Sequence, residues 1–176
     1  MNTSRIVHFP LPLLEAAKRE AQEARRQVAD AYHSLGILGA WAGELAWSLA
    51  QDRRVDLASA VSLVATVTRQ QAADAVDTVD AADPAGATDA IAWNPAEEWA
   101  GLQPEEAADA LCHEVRTLAQ MLLLSVDLTP VGWEPTLLRT VGCLLMVTAQ
   151  LRDVLTSEEA GSQELNVLRH ERKKDI

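Results

Sequence analysis

The sequence predicts an all-α protein, a four-helix bundle-like fold in which helix 1 breaks near 34–39 and a long connection joins helices 2 and 3. Three observations predict it. Apolar residues recur at spacings of three and four in four long segments, no run alternates with the period of two that a strand needs, and proline stands near the start of three of those segments, where its missing N–H is harmless. The chain has 176 residues, the size of one domain with its own core. A single helical domain over 1–161 and a polar, basic tail over 162–176 are expected.

Helix 1 opens near Pro12 and runs through LEAAKREAQEARRQVADAYHSL. Gly36, Gly39 and Gly43 follow, each costing about 1 kcal/mol in a helix interior, so the break is expected there. Gly39 and Gly43 form a GxxxG pattern, flanked by Gly36 and followed by Trp47. Small residues let two helix axes approach closely, either inside the bundle or between two copies of the chain, and Gly36, Gly39, Gly43 and Trp47 are the candidate self-association residues of a homodimer.

Helix 2 begins at Asp56, whose carboxylate can cap the unpaired N–H groups of a first turn, and ends at Pro84 and Gly86. Leu57, Val61, Val64, Thr68, Ala72, Ala75, Val79 and Ala82 fall on one face, and Asp74, Asp77 and Asp80 lie on the other. Residues 84–103 read as a connection with one short helical turn around AWNPAEEW, long enough to suggest a functional segment. Helix 3 begins at Pro104, with Glu105 and Glu106 favouring its positive end, and closes before Pro130. Its stripe is Leu111, Val115, Leu118 and Leu122. From Met121 to Leu124 it is apolar on every side, which predicts a central helix surrounded by others. After the turn TPVGWEP, Pro135 opens helix 4, whose seam is Leu137, Val141, Leu144, Thr148, Leu151 and Leu155 and whose stop is Gly161.

Formal net charge is −11, from 26 acids against 15 bases. Between Arg69 and Arg116 the chain carries eleven acids and no Lys or Arg, while the rest is balanced. Such asymmetry repels nucleic acid and anionic lipid and favours a basic protein partner. The candidate partner-binding residues are therefore Asp74, Asp77, Asp80, Asp83, Trp93, Glu97, Glu98, Trp99, Glu105, Glu106 and Asp109. The two tryptophans serve as apolar anchors within the acidic stretch, or as tethers of the loop to the core. The sharper expectation is an inhibitor that mimics nucleic acid, of the kind that phages and mobile elements encode against host defences.

Catalytic chemistry finds little footing. Cys112 and Cys143 read as packed thiols in a reducing compartment, no histidine joins a triad, and no glycine-rich loop follows a strand. No secretion signal and no stretch of roughly 20 apolar residues is expected to place the chain outside the cytoplasm or in a membrane. No cofactor is expected. The competing metal site is Glu106, Asp109 and His113, which share one helix face.

The stretch EEAADAL at 105–111 resembles the ExxD half of the metal-binding motif in all-helical, MazG-like nucleotide pyrophosphohydrolases. That resemblance covers seven residues and implies a metal-dependent hydrolase using Glu106 and Asp109. The matching ExxE half would be Glu20 and Glu23, some 80 residues upstream.

Overall fold

Helix α1 spans Leu11–Gln51 without interruption. The computed structural model describes residues 11–79, 94–130 and 132–172. The expected break near 34–39 does not occur, because the glycines lie under a second helix. A Cβ on Gly39 would stand 2.6 Å from Arg69 Cγ and 2.7 Å from Thr68 Oγ1, and Gly36 would meet only Ala72 Cβ at 3.7 Å. The Gly39 carbonyl also accepts a hydrogen bond from Arg69 Nε at 2.9 Å. Close packing offsets the loss in helix propensity, and the helix continues.

A turn of three residues reverses the chain. Arg53 takes a left-handed conformation (φ 60°), and the Arg54 N–H donates back to the Leu49 carbonyl at 3.0 Å. This satisfies an otherwise unpaired carbonyl at the end of α1. Helix α2 follows at Val55–Val79, so Asp56 stands inside its first turn instead of capping it. Helix α3 is a single turn, Pro95–Glu98, capped by the Asn94 side chain, which accepts from the Ala96 N–H at 3.1 Å. Helix α4 is Pro104–Ser125 and runs into a 3-10 turn at Val126–Leu128. Helix α5 is Glu134–Arg172. It passes through Gly161, the expected stop.

The four long helices form a bundle in which α1 packs on α2 and α4, and α5 packs on α4 and α2. Cross-helix contacts set the directions. Arg54, at the start of α2, meets Glu105 near the start of α4 and Glu158 late in α5. Asp74, late in α2, meets Arg139 early in α5. Every packed pair is therefore antiparallel. Helices α2 and α4 run the same way.

The core is aliphatic. All six expected seam residues of α5 and all four stripe residues of α4 are buried, alongside Leu35, Leu38 and Leu49 of α1 and Leu57, Val61 and Val64 of α2. Trp133, in the turn before α5, is buried against the same cluster. One buried polar relay crosses it: Tyr32 Oη donates to Thr140 Oγ1 at 3.1 Å, and Thr140 Oγ1 donates to Gln71 Oε1 at 2.8 Å, tying α1, α5 and α2.

The expectation that Met121–Leu124 lies at the centre of the molecule is not met. Helix α4 is a corner of the bundle, and Leu123 and Leu124 are 48% and 78% exposed. Among the described residues no strand is present, and no helix is long and apolar enough to cross a membrane.

Candidate interaction surface

Six acidic residues of the expected partner-binding set have described side chains, and the fold separates them. Asp74 lies on α2 and pairs with Arg139 at 3.0 Å. Glu97 and Glu98 are exposed on α3. Glu105 pairs with Arg54 at 2.5 Å, and Asp109 stands 4.0 Å from Arg152. Glu106 closes a capping box, accepting from the Gln103 N–H at 3.0 Å. Asp74 is twenty residues down α2 from Arg54, about 30 Å along the helix, and so sits far from the other five. Asp77 belongs to the last turns of α2, and its side chain, with Asp80, Asp83 and Trp93, lies outside the described residues.

What gathers instead is one end of the bundle. The α1–α2 turn, the start of α2, α3, the start of α4 and the late part of α5 bring together nine acids: Asp52, Asp56, Glu97, Glu98, Glu105, Glu106, Asp109, Asp153 and Glu158. Among the described side chains, three arginines stand against them, Arg53, Arg54 and Arg152. The formal excess is six negative charges. A shallow groove there is lined by Asp56, Asp153, Val154, Ser157 and Glu158. Four of the nine acids come from outside the stretch that sequence charge counting marks, because only folding places residues 52, 56, 153 and 158 beside it.

Arg54 organises this end. Its guanidinium bridges Glu105 on α4 and Glu158 on α5, and its side chain is only 23% exposed. Trp99 packs edge-on against Trp41 of α1, ring centroids 4.7 Å apart at 69°. Trp99 is thus a tether that holds α3, with Glu97 and Glu98 on it, against the bundle. The carboxylates are presented from a fixed platform.

The metal reading fails on geometry. Glu106 serves its own helix terminus, Asp109 faces Arg152, and His113 is exposed on the outer side of α4. Among the described residues no group of three or more His, Cys, Asp or Glu side chains could hold a metal ion. The ExxE candidates Glu20 and Glu23 lie near the start of α1, whose far end meets α4 at Glu105, so the two halves of the pyrophosphohydrolase motif stand at opposite ends of the bundle.

The glycine set is used inside the chain. Gly36, Gly39 and Gly43 face Ala72, Thr68 and Arg69 of α2. Trp47, one turn beyond Gly43, is 68% exposed. Cys112 is buried, its Sγ 3.4 Å from the Thr148 carbonyl, and burial pushes its thiol pKa upward, away from nucleophilic behaviour. Cys143 is half-buried. Comparison with protein families, with characterised proteins and with solved structures finds no match for this chain.

Proposed function

We propose that this protein acts by binding a basic protein partner at the acidic end of its bundle, without catalysing a reaction. The observation that carries the proposal is the ninefold gathering of carboxylates against three arginines at that end. Charges held on a rigid platform act over a Debye length of about 8 Å at physiological salt, which speeds encounter with a cationic surface. Glu97 and Glu98 on the tethered α3 and the groove acids Asp56 and Asp153 are the contact residues.

A cationic surface of this kind is characteristic of proteins that bind nucleic acid, and occupation of such a surface by carboxylates would inhibit them. That is the narrower form of the proposal. Affinity capture with the full chain, followed by titration of the purified partner at rising salt, tests it. Mg²⁺-dependent release of pyrophosphate from nucleotides, lost on Glu106→Gln, would replace this reading with the hydrolase.

A further inference from the structure

Helices α2 and α5 leave a groove on the outside of the bundle. Three contacts fix their register: Arg54 with Glu158, Gln71 with Thr140, and Asp74 with Arg139. At about 100° per residue, Asp56 and Leu63 fall within about 20° of Asp74 on α2, and Met146, Gln150 and Ser157 fall within about 20° of Arg139 on α5. These two rows run side by side as the rims of the groove. Leu63 stands level with Gln150 and one turn from Met146.

The groove changes character along its length. At one end the ion pair of Asp74 with Arg139 spans it at 3.0 Å. In the middle its walls are apolar and open to water, with Leu63 40% and Met146 54% exposed. At the other end it is lined by Asp56, Asp153 and Glu158 around Val154. Arg54 holds Glu158, but Asp56 and Asp153 take part in no ion pair among the described residues. Eighteen residues separate Asp56 from Asp74, so the groove is about 27 Å long.

Its chemistry selects the occupant. Two carboxylates without a cation at one end match Lys or Arg, and apolar walls two turns further along match apolar side chains on the same segment. The backbone groups lining the groove are already paired inside α2 and α5, so an extended segment would find no partners there for its own N–H and C=O groups. A helix satisfies its own and loses none on docking.

We infer that the α2–α5 groove receives an amphipathic helix of a basic protein, with Lys or Arg side chains against Asp56 and Asp153 and apolar side chains against Leu63 and Met146. This rests on the acidic-end reading and narrows it, by naming the form of the partner and extending its footprint beyond the carboxylates.

Binding of the full chain to two synthetic peptides of about 14 residues tests the inference. Both have the same leucine and lysine content; one places the leucines at spacings of three and four, the other spreads them around the helix. Fluorescence anisotropy reads the affinity, and circular dichroism confirms unchanged helix content in each protein variant. The first peptide is expected to bind about tenfold more tightly than the second. Leu63→Gln/Met146→Gln should weaken the first about fivefold or more without altering its salt dependence, and Leu124→Gln, on the exposed side of α4, should change nothing. Asp56→Asn/Asp153→Asn should weaken both peptides and flatten their salt dependence. Equal affinity for the two peptides, or no effect of Leu63→Gln/Met146→Gln, overturns the inference. If Asp56→Asn/Asp153→Asn still weakens both peptides in that case, only the groove reading falls; if it weakens neither, the acidic-end reading falls with it.

Discussion

The guanidinium of Arg54 meets the carboxylate of Glu105 at 2.5 Å, joining the α1–α2 turn to the first turn of α4. The same guanidinium holds Glu158 on α5. One arginine, largely shielded from water, thus closes the acidic end of the bundle and sets the carboxylates around it in fixed positions.

Removing that arginine should loosen the acidic end and leave two carboxylates facing like charges. Arg54→Ala is expected to lower unfolding free energy by about 1–2 kcal/mol, since the pair is only partly buried. Urea denaturation at low and high salt measures this, and the deficit relative to wild type should shrink as salt rises.

Two glycines in one helix should respond oppositely to alanine. Gly39→Ala forces a Cβ into Thr68 Oγ1 and the Arg69 backbone N at 3.0 Å, and is expected to cost about 1–3 kcal/mol despite the gain in helix propensity. Gly36→Ala meets Ala72 Cβ at an ordinary 3.7 Å and should gain up to about 1 kcal/mol. Thermal unfolding of the two variants separates the effects.

Those glycines also show where sequence reading fails. The seams of α4 and α5 are legible because spacing of three and four is a local signal that burial then follows. Continuity of α1 is not legible, because it depends on α2 lying across Gly39. The acidic end is half legible: Glu97, Glu98, Glu105, Glu106 and Asp109 lie in an acid-rich stretch, but Asp52, Asp56, Asp153 and Glu158 join them only through the fold. Asp74 belongs to the same stretch and is carried away to the other end by the length of α2. Leu123 and Leu124 mislead for a related reason, since an apolar circumference is equally consistent with burial inside the chain and with burial by a partner.

Tyr32 is the single tyrosine of the chain, and burial raises its pKa above the usual 10.0, only partly offset by its hydrogen bond to Thr140 and by Arg139 nearby. The unfolded phenol ionises first as pH rises, so the folded state holds the proton more tightly. The stability this contributes is fully present below pH 10.0 and declines above it as the folded pKa is approached. Ultraviolet titration should show phenolate appearing later in native protein than in urea.

The two thiols should differ under alkylation. Cys112 is buried and Cys143 half-buried. Brief treatment of native protein with iodoacetamide at pH 8 is expected to label Cys143 well ahead of Cys112, and urea should remove the difference. Peptide mass spectrometry reads both sites.

The most direct measurement compares affinity for the captured basic partner in two neutralised variants. Glu97→Gln/Glu98→Gln/Asp153→Asn, altered at the acidic end, should bind about tenfold or more weakly and lose most of the salt dependence, whereas Asp74→Asn, at the other end, should bind as wild type does. Equal weakening by both variants, or none by the first, would contradict a function located at the acidic end of the bundle.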